Sequence, residues 1–143
     1  MIRIIPLALT ALGLCAGVSL ADGPLDAYRD RARPVLVFSA APDDPETLEQ
    51  IKRFQKSRQA LDDRQMTVFV VGQRGVRTLA GGRAPSSLDA ETLRAAYGVE
   101  SSGFAVVLVG KDGGEKFRRA QTVSADELIE LVDQMPMRRN EAR

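Results

Sequence analysis

The sequence predicts an α/β domain built on a mixed sheet with helices packed on its faces. Three observations carry that prediction. Short apolar runs rich in β-branched residues recur at Val35-Leu36-Val37-Phe38-Ser39-Ala40, Met66 to Val71 and Phe104 to Val109. Runs of this length and composition suit strands buried on both faces. Segments with helical spacing and recognisable caps lie between and after them. Length agrees: 143 residues, 44% hydrophobic and 27% charged, describe one ordinary globular domain.

Each element has a local reason. Residues 22–34 are polar around a single aromatic, Tyr28, and read as a lead-in loop or short helix. After the first strand, Asp44-Pro45 opens a helix. The Asp carboxylate accepts free amide hydrogens of the first turn, and Pro fits the first helical position. Leu48, Ile51, Phe54 and Leu61 lie at helical spacing and are expected to face the core, with the helix ending near Asp62-Asp63. The second strand follows at Met66. Gly72 to Ser87 reads as a long loop, and from Arg64 to Leu88 every charge is basic: Arg64, Arg74, Arg77 and Arg83. A helix from about Asp89 to Tyr97 ends at Gly98, a residue suited to a left-handed cap. Phe104 to Val109 is the third strand. Lys111-Asp112-Gly113-Gly114 then forms a turn, and charged Glu115 to Arg119 is a fourth strand, placed at an edge. Ser124-Ala125-Asp126-Glu127 is a capping box, followed by one apolar face of Ala125, Leu128, Ile129 and Val132. Pro136 is expected to stop that helix, Met135 to Arg139 to close the fold, and the last few residues to fray.

The order is therefore βαβ, a linking helix, then ββα. It predicts a thioredoxin-like arrangement: a central four-stranded mixed sheet flanked by helices, with right-handed crossovers.

Composition excludes several chemistries. The chain has no His, no Trp and one Cys. Ser-His-Asp and Cys-His catalysis and His-ligated zinc are absent on that ground. A net charge of +1 and 5% aromatic residues argue against nucleic-acid binding. The glycines of the basic loop are not followed by Gly-Lys-Ser/Thr, so it is no P-loop.

The first residues read as a leader. Arg3 supplies one charge, residues 4–21 supply none, and Ser19-Leu20-Ala21 offers small residues around a cleavage point after Ala21. That is the order of a secretory signal peptide. An uncleaved anchor helix and a lipoprotein signal at Leu12-Gly13-Leu14-Cys15 are the alternatives. Residues 1–21 are thus expected to be a signal peptide, residues 22–143 one domain, and the location periplasmic or secreted. Cleavage would remove Cys15, the sole thiol. It would also take the basic count from 20 to 19 by removing Arg3, equal to the 19 acids. Membrane association is expected only if the leader is retained.

Several segments resemble a known family. They are Leu25-Asp26-Ala27-Tyr28 through Arg33-Pro34-Val35-Leu36-Val37-Phe38, Leu61-Asp62-Asp63-Arg64, and Leu93-Arg94-Ala95-Ala96-Tyr97-Gly98-Val99. To these are added Leu108-Val109-Gly110-Lys111-Asp112-Gly113-Gly114-Glu115-Lys116 and Val132-Asp133-Gln134-Met135-Pro136-Met137-Arg138-Arg139. Together they resemble the thioredoxin-like P-DUDES group, which has bacterial members of unknown function and is related to domains of equarin and sushi-repeat-containing proteins. The resemblance implies a thioredoxin-like fold and an exported domain, and no established activity. Redox-active thioredoxin relatives carry Cys-x-x-Cys between the first strand and its helix. Here that slot holds Pro42-Asp43-Asp44-Pro45, and Ser102-Gly103 stands where thioredoxins place a cis-Pro. Disulfide exchange and peroxide reduction need a thiolate, which carboxylates cannot replace.

Candidate site residues follow. Arg74, Arg77 and Arg83, with Arg64 and Arg94, suit an anionic ligand or an acidic partner. Arg33, Arg64 and Arg94 either converge on one site or pair with separate acids. Lys111 flanks the turn. Met135, Met137 and Arg138 form either a lock for the C-terminus or a contact surface, with Arg138 placed to hydrogen-bond the last helix carbonyls. Asp43, Asp44 and Glu46 read as a cation or acid/base site, or as helix capping. The expectation is a non-redox binding or accessory module for a protein or small anionic ligand, with no cofactor and no metal. The alternatives are a cofactor-free or metal-assisted enzyme using Asp43, Asp44 and the arginines, and a membrane-tethered accessory subunit.

Overall fold

The computed structural model describes residues 23–143. The leader, its cleavage point and Cys15 lie outside the described residues.

The first strand β1 (Arg33–Phe38) runs parallel to β2 (Met66–Val71), pairing Val35 with Val68 and Val37 with Val70. Between them lie α1 (Pro45–Lys56) and α2 (Arg58–Asp62). β3 (Val76–Thr78) returns antiparallel on β2. After α3 (Ala90–Tyr97), β4 (Ala105–Val109) pairs antiparallel with β1 and β5 (Glu115–Arg119) with β4. Helices α4 (Ala125–Asp133) and α5 (Pro136–Glu141) close the chain. The sheet order is β3-β2-β1-β4-β5.

This is the expected mixed sheet with one strand more. The extra strand is β3, inside the segment expected to be a long loop. Only three residues long, with Arg at its centre, β3 has too short a pattern to register as a strand. The charged strand β5 does sit at an edge. β1 and β4 are buried throughout because both faces of the sheet are covered. Leu36, Phe38, Phe69, Val71 and Val107 meet Leu93 of α3 on one face. Val35, Val37, Val68, Val106 and Leu108 meet Phe54, Leu61, Leu128 and Val132 on the other. Alternate residues of one strand point to opposite faces, which divides the apolar runs between two cores.

The first long helix differs from expectation in two ways. It breaks at Ser57 (φ −109°, ψ 18°), so α1 and α2 are separate pieces. Its inward face is Thr47, Gln50 and Phe54, with Leu61 from α2, while Leu48 is 52% exposed and Ile51 only half-buried. Two polar residues are buried because each finds partners. Thr47 Oγ1 lies in hydrogen-bond contact with Ser39 Oγ at 2.9 Å. Gln50 donates to the Val123 carbonyl at 3.0 Å and accepts from the Val123 amide at 2.7 Å, tying α1 to the start of α4.

The caps match the sequence. Asp44 accepts from the Thr47 amide at 3.1 Å with Pro45 first in the helix, and Ser124 accepts from the Glu127 amide at 3.2 Å. Gly98 ends α3 at φ 63°. Pro136 ends nothing itself: α4 stops at Asp133, and Pro136 starts α5 as its first residue. Helix α5 carries the segment that closes the fold as far as Glu141.

Candidate functional site

At the C-terminal ends of β1 and β2 the surface opens into a cleft of about 840 Å³. Pro42 of the β1–α1 turn forms one wall, and Gly72 to Arg77 with Gly81 to Leu88 form the others. Gln73 fixes the two walls together. Its amide donates to the Ala40 carbonyl at 2.7 Å and the Ser101 carbonyl at 3.4 Å. Nothing in the sequence singled out Gln73, because its partners lie far along the chain.

Arg74, Arg77 and Arg83 all line this cleft, and among the described residues no Asp or Glu does. None of the three makes an ion pair or side-chain hydrogen bond among the described residues. The backbone forces two of them together. Arg77 and Arg83 face each other in an antiparallel β-bridge. The flanking hydrogen bonds run from Thr78 N to Gly82 O (2.8 Å) and from Ala84 N to Val76 O (3.1 Å). That makes Arg77 and Arg83 a non-hydrogen-bonded pair, the closer kind, with Cα atoms typically about 4.5 Å apart. Like charges placed directly opposite destabilise a sheet. Here the repulsion stands without a counter-ion among the described residues, and the cleft is therefore an electropositive concavity.

Arg94 lies deeper. Its guanidinium donates to the carbonyls of Ser39 (2.6 Å), Val71 (3.2 Å) and Glu100 (2.7 Å) and stacks on Phe38 at 5.7 Å. Burial pulls it below the ordinary guanidinium value. It ties the ends of β1 and β2 to the loop after α3, and among the described residues it meets no acid.

The remaining candidates gather at the opposite end of the sheet. Arg64 grips Asp133 through two hydrogen bonds of 2.7 and 2.9 Å. That contact raises the Arg64 guanidinium and holds the Asp133 carboxyl below its usual range. Arg138 donates to the Asp63 carbonyl at 3.0 Å, at the end of α2 rather than of its neighbour α4, and lies 3.6 Å from Asp133. Met135 packs on the second core, while Met137 is exposed. Lys111 is buried beside Arg33, and both reach Glu141. Of the three arginines considered together, Arg33 and Arg64 pair with separate acids and Arg94 with carbonyls.

The slot between β1 and α1 is a helix cap. Asp44 is engaged by the Thr47 amide and by Thr47 Oγ1 at 2.9 Å. Among the described residues no three carboxylates, His or Cys converge as metal ligands, and no peptide bond is cis. The sequence beyond residue 22 contains no Cys.

A mixed sheet of this order with helices on both faces defines a thioredoxin-like α/β protein. Solved structures of similar fold include a reduced 2-Cys peroxiredoxin from Plasmodium vivax. It matches with a TM-score of 0.58 at 16% identity, over 83% of this chain and 85% of that one. A Plasmodium yoelii thioredoxin peroxidase I matches with a TM-score of 0.57 at 16% identity, over 83% and 81% of the two chains. At that identity the likeness is one of fold. Residues 24–141 match the family described as Domain of unknown function (DUF4174), and the chain belongs to that family. No functionally curated protein matches it.

Proposed function

We propose that this protein is an exported, non-catalytic thioredoxin-like module that binds an anionic ligand, or the acidic surface of a protein, in its basic cleft. The carrying observation is the bridge that holds Arg77 opposite Arg83 beside Arg74 with no acid among the described residues of the lining. An anion between the guanidinium groups would relieve their repulsion and accept several charge-assisted hydrogen bonds. The absence of Cys beyond residue 22 supports a docking role over thiol chemistry. Export rests on the leader pattern of residues 1–21, and the motifs at Leu108–Lys116 and Val132–Arg139 favour membership of the P-DUDES group. The alternative enzyme built on Asp43 and Asp44 loses its main support, since Asp44 already caps α1.

Titration with inorganic phosphate and with a poly-glutamate peptide, followed by calorimetry, tests the reading. Saturable, salt-sensitive binding that the Arg74/Arg77/Arg83 triple alanine loses is the expected result. No binding of either probe, or unchanged binding by the triple variant, would refute it.

A further inference from the structure

A second anion-binding arrangement lies at the far end of the sheet from the cleft. Arg33 is 1% exposed and Lys111 is 7% exposed. Both reach one carboxylate, that of Glu141. Arg33 approaches it through two guanidinium nitrogens at 3.2 Å each, and Lys111 Nζ donates to the same group. Lys111 also donates to Gln65 Oε1, and Arg33 to the Arg64 carbonyl at 2.8 Å. Two buried cations thus share one anion, which Arg138 of α5 also approaches to 3.9 Å, and Arg33 Nε has no partner among the described residues.

The body of the fold builds this pocket without help from α5. Two non-glycine residues among those described have positive φ, Asp30 at 62° and Gln65 at 54°, and both adjoin it. The Asp30 amide donates to the Lys111 carbonyl at 2.8 Å, and the Gln65 carbonyl accepts from the Arg33 amide at 2.7 Å. Left-handed backbone at such residues is strained and persists where the surroundings enforce it. By contrast α5, which supplies the acid, buries none of its six residues and has no side-chain cap. Buried charge is poor as a source of stability, since apolar side chains of similar volume usually serve as well or better. A rigid, strained two-cation pocket closed by a weakly packed helix has the form of a binding site holding an internal ligand.

We propose that Arg33, Lys111 and Gln65 form a carboxylate-binding pocket, that Glu141 occupies it, and that α5 is a displaceable stopper which yields to an external carboxylate. The planar two-oxygen shape of the occupant, met by two guanidinium nitrogens and an ammonium, fits a carboxylate from a small organic acid or an acidic peptide. The internal group competes at an effective concentration on the order of millimolar. External ligand must match that or add contacts of its own.

Thermal unfolding of the full chain tests this with propionate, which reproduces the end of the Glu141 side chain. In Glu141→Ala, propionate raises Tm saturably, by about 5 °C at roughly ten times its dissociation constant, and chloride at equal ionic strength does not. Arg33→Met in that background abolishes the response; Lys111→Met serves if that variant does not fold. A peptide of residues 135–143 that acts where propionate does not would assign the pocket to peptide carboxylates, and also supports the proposal. Inertness of both probes, or an equal effect of chloride, overturns it. In the wild type, hydrogen exchange of the α5 amides proceeds by local opening, ahead of Leu128 to Val132 in α4. Exchange of α5 only through global unfolding would show that it is no stopper, and the proposal would fail.

Discussion

Replacing Arg83 by Gln removes one of two like charges that the β-bridge places opposite each other. Most substitutions destabilise a protein; this one is expected to stabilise it. The non-hydrogen-bonded register brings the two stems close, and long flexible side chains would carry the two charges out to a separation on the order of 6 Å. At that separation in water the repulsion is about 0.7 kcal/mol, and at physiological salt screening roughly halves it. For a domain of this size the gain corresponds to a rise in Tm of about 2–3 °C at low salt. Scanning calorimetry of wild type and Arg83→Gln at 10 and 500 mM salt measures it. The gap narrows as salt rises, and the same variant loses phosphate affinity. Stability and binding then move in opposite directions, the mark of a residue kept for a ligand. A variant less stable than wild type at low salt would mean that Arg83 holds the loop together, and would refute the cleft as a site of unrelieved repulsion.

Other expectations follow from single contacts. Gln50→Leu leaves the buried amide and carbonyl of Val123 without partners, and unfolding in urea should show a loss of about 2–4 kcal/mol; a neutral result would mean that water or a rearranged loop replaces the glutamine. Gly98→Ala forces a side chain into left-handed backbone and should cost about 1 kcal/mol in the same assay. The carboxyls of Asp133 and Glu141 are both held below their ordinary range in the fold. Hydrogen bonding to Arg64 does this for Asp133. For Glu141, burial acts upward but is outweighed by Lys111 and Arg33. Their contribution is therefore present above the unfolded carboxylate pKa of about 4 and is lost as pH falls through the lower folded value. Tm should drop more steeply below about pH 5 in wild type than in Asp133→Asn/Glu141→Gln, and equal slopes would contradict the assignment.

The local elements were legible in the sequence because their causes are local. Asp44-Pro45, Ser124 with Glu127, and Gly98 act within one helical turn, and the three apolar runs announce strands by their own composition. The phase of α1 was not legible. Leu48 looks like core, yet Thr47 and Gln50 are inside because Ser39 and Val123 wait for them, and Val123 lies 73 residues from Gln50. Short β3 escaped for a similar reason, since its pairing with β2 outweighs a three-residue pattern.

The basic segment between Arg64 and Arg83 was visible as a run of one sign, but that run holds two unrelated things. Only folding sends Arg64 to Asp133 and leaves Arg74, Arg77 and Arg83 around the cleft. Composition by itself determined the chemistry open to residues 23–143: with neither Cys nor His, they have no thiolate and no imidazole. Tertiary structure decided which charges are satisfied. A side chain's partner is set by the register of strands and the path of the tail, as with Arg33 and Glu141, 108 residues apart.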